Sequence, residues 1–265
     1  MTMTHLPALF VPHGAPTVAL RPGAAGAALA ALAPRLPPVR ALLMVSAHWS
    51  TQLPTLGWAP EPATLHDFWG FPEELYAIRY LAKGDAQVAA QVEAAIQAAG
   101  LPVARDPNRG LDHGAWIPAR LLFPDAQIPV LPLSLQSRQG PEQAYRLGQA
   151  LAPLTQQGIL VAGSGNLTHN LRDYQTFARH GGGTPAYVRE FSDWCADRLA
   201  AGDVPALLDY RRQAPGGAQA HPTEEHLLPL FLALGAGGPQ PKVEVIHRGV
   251  ADQVICMDAY AFAQQ

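Results

Sequence analysis

This sequence predicts an α/β fold, a single domain with a central, largely parallel (mixed) sheet flanked by helices. Three observations predict it. Apolar runs of strand length alternate with longer Ala/Leu-rich helical stretches along most of the 265 residues. The 24 glycines and 26 prolines fall at element boundaries instead of gathering in a linker, so one domain spanning residues 1–265 is expected. Hydrophobic residues make up 48% and charged residues 15%, enough apolar material for a core and too little charge for a disordered chain.

Taken in order, the expected strands are Pro7–Pro12, Ala41–Ala47, Ile128–Leu133, Ile159–Gly163 and Lys242–His247. Between them the helical patterns run over Gly23–Ala33, Asp85–Ala99, Pro141–Leu154, Tyr187–Ala200 and Glu224–Leu234. Thr51–Pro72 and the glycine triplet from Gly181 to Thr184 read as loops. The last helix has a readable start: Thr223 as N-cap, Glu224 and Glu225 on the positive end of the dipole, and His226 in the first turn. Leu227, Leu230, Phe231 and Leu234 supply its apolar face.

Composition also removes whole classes of function. A formal charge of −3 with no Lys/Arg run leaves no basic stripe for nucleic acid and none for an anionic membrane surface. No apolar run approaches the roughly 20 residues that span a bilayer. Cys195 and Cys256 form neither a CxxC pair nor a disulfide framework. The start, without a basic region and a sustained apolar stretch, does not read as a signal peptide, so a cytoplasmic protein is expected, a monomer or small homo-oligomer.

What remains is histidine chemistry. In open α/β sheets ligands collect at the carboxyl ends of the strands. His13 follows the first strand and precedes Gly-Ala-Pro; His48 ends the second; His169 lies just past the Ile159 strand; His113 stands in Asp-His-Gly-Ala-Trp, leading into a short helix. A lone histidine is ordinarily a hydrogen-bonded or surface side chain, and His5, His180 and His247 are read that way. His66, in an aromatic loop, reads equally as a lid residue and as part of a surface clasp. Gly163-Ser164-Gly165 matches neither a dinucleotide nor a nucleophile motif and reads as a tight turn that orients His169.

The segments His13-Gly14-Ala15-Pro16, Ser46-Ala47-His48-Trp49, His66-Asp67-Phe68, Asp112-His113-Gly114-Ala115-Trp116, Gly165-Asn166 through Leu171, and Pro222-Thr223 through Leu230 occur in one order over nearly the whole chain. In this they resemble the LigB-type (class III) extradiol aromatic ring-opening dioxygenases, in the DOPA 4,5-dioxygenase-like branch. The resemblance implies a non-haem Fe(II) that binds the adjacent hydroxyls of a small aromatic diol together with O2. It implies His13, His48 and His226 as metal ligands, His169 as the base for the second catechol proton (and a possible fourth ligand), and His113 as a pocket residue contacting substrate or oxygen. His66 and Arg172 are the expected substrate contacts, Arg172 ahead of Arg120 and Arg138 as partner for a substrate carboxylate. Three neutral imidazoles also suit zinc, which outcompetes iron in the Irving–Williams order, so Zn(II) is the expected occupant and Fe(II) the expected catalytic metal. Glu224 and Glu225 stand beside the third histidine and leave a carboxylate ligand open. A zinc hydrolase and a non-catalytic, Memo-like metal binder are the competing readings.

Overall fold

The computed structural model describes residues 5–180 and 182–264. Its strands are β1 (Ala8–Pro12), β2 (Ala41–Ser50), β3 (Thr55–Gly57), β4 (Ala104–Asp106), β5 (Val130–Leu135), β6 (Ile159–Gly165), β7 (Lys242–His247), β8 (Val250–Ala251), β9 (Ile255–Cys256) and β10 (Ala259–Ala263). Eight of them form one sheet in the order β4-β3-β5-β2-β6-β1-β10-β7, and β8 and β9 form a separate hairpin. The centre, β5-β2-β6-β1, is parallel throughout. Antiparallel pairs join β3 to β5 on one side and β10 to β1 and β7 on the other, which makes the sheet mixed.

The central strands are apolar on both faces because both are covered. Phe10, Leu43, Val45 and Val161 point into one core, and Leu9, Val11, Leu42, Met44 and Leu160 into the other. The longer helices are α1 (Gly23–Leu32), α2 (Ala86–Ala98), α3 (His113–Leu122), α4 (Gly140–Leu151), α5 (Leu171–His180), α6 (Ala186–Ala201) and α7 (Leu228–Ala236). The first core is closed by α4 and α7, the second by α1 and α3. Asp85 starts α2 by accepting from the Gln87 and Val88 amides at 2.8 and 3.0 Å.

Several expectations shift. Strand β2 runs on to Ser50, so His48 lies within it instead of ending it. Gly163-Ser164-Gly165 is the end of β6, not a turn. The span expected as the loop Thr51–Pro72 contains β3, and of the glycine stretch, residue 181 lies outside the described residues. The last helix begins at Leu228, with Pro229 in its first turn. The Thr223 hydroxyl donates to the Glu225 carboxylate at 2.8 Å instead of capping the helix, and His226 therefore precedes the helix.

Candidate metal centre and active site

Each site histidine is delivered by the carboxyl edge of the parallel strands or by a segment packed against it. His13 immediately follows β1, and its amide donates to the Gly165 carbonyl at 3.1 Å. Gly14 turns the chain sharply away with φ of +60°, and its amide is held by Asn166 Oδ1 at 2.9 Å. His113 opens α3, whose N-cap Asp112 accepts from the Ala115 amide at 3.1 Å and from the Ser46 hydroxyl at 2.5 Å. The same Ser46 oxygen accepts the His48 amide at 3.1 Å, so one buried hydroxyl links the backbones that carry two of the histidines. The loop after β6 is fastened to residues 220–221 through His169 N–H to the Ala220 carbonyl (2.9 Å) and the His221 ring to the Leu167 carbonyl (2.8 Å).

The rings meet at the floor of a cavity of about 580 Å³ lined by His13, His48, His113, His169 and His226. The Nε2 atoms of His13 and His48 are 3.1 Å apart. Two nitrogens sharing one ion at metal–nitrogen distances of about 2.0–2.1 Å lie roughly 3 Å apart. His226 stands 5.2 and 5.0 Å (ring centroids) from His13 and His48, and stacks on His169 at 3.4 Å and 8°. Its Nε2 is buried with no partner among the described residues. The tightest sets of donor atoms are His13, His48 and His113, and separately His169, Glu225 and His226.

The far ring nitrogens are held by groups that orient them. His13 Nδ1 is 3.0 Å from Ser164 Oγ. His113 Nδ1 donates to Asp67 at 3.0 Å, and the same carboxylate is 3.8 Å from His48 Nδ1. His226 Nδ1 donates to Glu225 at 3.3 Å, which leaves its Nε2 with a lone pair. Glu224 lies apart from this, accepting from the Tyr210 hydroxyl at 3.1 Å.

Burial dominates the electrostatics. It lowers His13 and His226 well below the usual 6.5, and the neighbouring histidines add to the effect. It lowers His48 to about 3 and His169 to about 4, against the opposing pull of Asp67 and Glu225 respectively. For the two carboxylates burial alone would act upward. Hydrogen bonds from His113 to Asp67, and from His226 and Thr223 to Glu225, outweigh it and bring both to about 2. These four imidazoles are thus neutral near pH 7, with lone pairs available and ionised carboxylates behind them. That donor set fits a divalent cation.

A family model described as the catalytic LigB subunit of aromatic ring-opening dioxygenase matches residues 1–263. The chain belongs to the LigB family. Among its relatives, the 4,5-DOPA dioxygenase extradiol of Mirabilis jalapa is 38% identical over 84% of this chain and 83% of its own length. The protein of the same name from Escherichia coli K12 is 34% identical over 94% and 92%. The crystal structure of an uncharacterized protein from Escherichia coli K12 superposes with a TM-score of 0.79 at 29% identity, covering 97% of this chain and 99% of that one. This LigB-family chain is accordingly an extradiol ring-cleaving dioxygenase.

Within this LigB fold the expected substrate contacts separate. His66 is not among the cavity's lining residues: its Nε2 lies 3.1 Å from the Ile78 carbonyl, and its ring packs among Phe68, Tyr76 and Trp116. The aromatic loop still reaches the site, through Phe68 and Phe71. Arg172 is exposed in the first turn of α5 and is not among the cavity's lining residues. Arg120 donates to the Ala19 carbonyl at 2.9 Å, and Arg138 borders a different cleft. Sequence reasoning passed over Ser164, Asp67 and Arg21, the last being the cation that lines the cavity among the described residues. Asp67 could have been suspected as an acidic residue inside an aromatic loop. Ser164 carried no local signal.

Proposed function

We propose that this enzyme opens the ring of a catechol-type substrate with O2, at a metal held by His13, His48 and His226. The observation that carries the proposal is the buried, unpartnered Nε2 of His226, beside the facing Nε2 atoms of His13 and His48. Fe(II) bound there would supply coordination positions for the adjacent diol oxygens and a path for electrons from ring to O2. Zn(II) suits the same three imidazoles and is the expected occupant of purified protein.

The protein's own part is proton transfer, positioning and exclusion of water. Catechol hydroxyls are far weaker acids than an imidazolium, so a neutral base near the second hydroxyl aids its ionisation. His169 serves as that base, since burial keeps it neutral at pH 7 and its ring lies against His226. His113, oriented by Asp67, faces the substrate and oxygen from the other side. Phe68 and Phe71 shield the ring from solvent. The relatives named for DOPA support a diol with an amino-acid side chain as one substrate.

A second reading gives the third ligand position to His113, because its donor atom makes the compact set with His13 and His48. Anaerobic iron loading followed by oxygen-electrode assays over a catechol panel, with metal analysis of His113→Ala, His169→Ala and His226→Ala, tests both. Expected are O2 uptake with a yellow product, metal loss in His226→Ala, and full metal with abolished turnover in His169→Ala. Iron-loaded protein inert toward every catechol would overturn the proposal, and metal lost from His113→Ala alone would move the third ligand.

A further inference from the structure

The cavity is larger than one diol ring needs and sits in the range of about 300–1,000 Å³ typical of sites for bigger ligands. Its charged lining residues, among those described, are Arg21, Glu225 and Asp252. Glu225 is already engaged by His226 and Thr223. Arg21 and Asp252 are not: both are exposed, and neither side chain has a hydrogen bond or ion pair among the described residues.

Both charges come from short segments that local geometry fixes. The Arg21 amide donates to the Thr17 carbonyl at 2.9 Å, closing the turn that follows His13-Gly14 and the 3-10 segment Pro16–Ala19. Asp252 stands at the tip of the β8–β9 hairpin with φ of +47°, and β9 sends Ile255 into the same cavity. Arg21 also borders an adjoining cleft with Val250 and Ala251, the two residues before Asp252, so both charges belong to one side of the mouth. Arg109, whose partner Asp112 caps the helix that carries His113, is by contrast neutralised at 2.6 Å. An exposed cation and an exposed anion that line one cavity, neither with a protein partner among the described residues, complement a ligand group that carries both charges.

We infer that Arg21 and Asp252 are the specificity-determining pair of this enzyme, Arg21 receiving a carboxylate and Asp252 an ammonium group on the substrate's ring substituent. The inference rests on the catechol reading above. A guanidinium presents parallel N–H donors that match a carboxylate, and Asp252 accepts from the ammonium. Apolar wall residues such as Phe71 and Leu171 lie alongside and suit the linking carbons.

Four catechols separate the charges: 3,4-dihydroxyphenylalanine with both, 3,4-dihydroxyphenylpropionate with the carboxylate, dopamine with the ammonium, and 4-methylcatechol with neither. The iron-loaded wild type, Arg21→Gln and Asp252→Asn are compared by kcat/KM, and the zinc-loaded forms by calorimetric Kd under argon. Arg21→Gln should lower the preference for the two carboxylates over 4-methylcatechol on the order of tenfold, through KM and Kd. Asp252→Asn should do the same for the two ammonium compounds. Preference ratios unchanged within twofold in both variants would overturn the inference. If no catechol is turned over, the reaction reading fails, and the Kd ratios still decide the charge pair.

Discussion

Gly165 offers the sharpest perturbation of the centre, because its hydrogen faces the backbone of His226. A Cβ placed there would lie 2.1 Å from the His226 carbonyl oxygen and 3.1 Å from its carbon. Ordinary contact begins at 3.4 Å, so Gly165→Ala must part the two segments by about 1.3 Å, the difference between 3.4 and 2.1. Strand β6 cannot yield easily, since it is paired with β1 on one side and β2 on the other. The His226 segment must therefore move, although the Asn166 amide donates to that same carbonyl at 3.0 Å. Overpacking of this kind costs roughly 1–3 kcal/mol. For a chain of this size that lowers Tm by about 2–5 °C, and a 1 Å misplacement lowers turnover on the order of 100-fold. Calorimetry, metal content per chain and oxygen uptake read the three effects. Gly183→Ala, with no atom within 4 Å of the added carbon, is the control. A Gly165→Ala protein that matches the control in all three would show that this contact does not hold the His226 segment in place.

Two further perturbations follow from the same geometry. Ser164→Ala removes the 3.0 Å partner of His13 Nδ1 and should weaken metal binding about 10- to 100-fold, as loss of an orienting partner does. A chelator-competition midpoint within twofold of the wild type would count against that role. Acid should destabilise the metal-free protein in a defined window. His48, His169 and His221, lowered mainly by burial to about 3, 4 and 3, are neutral when folded and take up protons at 6.5 and below when unfolded. The unfolded chain then binds more protons, so stability is full above pH 6.5 and falls as pH drops toward 4. At pH 5 each such group costs about 2 kcal/mol. Asp67 and Glu225, brought to about 2, lose their stabilisation only below the usual carboxylate range, so pH 7 to 5 isolates the histidines. The urea midpoint should fall over that interval and fall less in His221→Gln; a flat midpoint would refute it.

How much of this was legible in the chain follows from where each signal lives. The central strands announced themselves because they are buried on both faces and read as continuous apolar runs. By contrast β3 and β4, three residues each, offered no such run, and the apolar Ala259–Ala263 of β10 is three-fifths alanine, which is depleted in strands. Thr223 and the acidic pair imitated a helix start. Pro229, whose missing amide donor and fixed φ suit a first helical turn, marks where the helix actually begins. The histidines stood out since a strand edge is where small and turn-forming residues leave a side chain free to meet others. What held them was not legible, because Ser164 meets His13, and Asp67 meets His113, only across 151 and 46 residues of chain.

Arg172 and Arg21 show the limit most directly, and the physics behind it. Arg172 follows a site histidine by three positions, and that closeness in sequence made it the expected carboxylate partner. Helix α5 begins at Leu171, and Arg172 is exposed while Leu171 and Tyr174 line the cavity. On a helix neighbours in sequence point about 100° apart, so adjacency to a lining residue does not bring Arg172 to the wall. Arg21 is eight residues from His13, but the positive φ at Gly14 and the turn closed on Thr17 fold the intervening chain back to the cavity mouth. The charge that reaches the cavity wall is thus decided by two turns, not by distance along the chain. Exchanging Arg172 for Gln should therefore leave the preference for carboxylated catechols within twofold of wild type, whereas Arg21→Gln should not. If the Arg172 variant lost that preference and the Arg21 variant kept it, the assignment made from the cavity wall would be reversed.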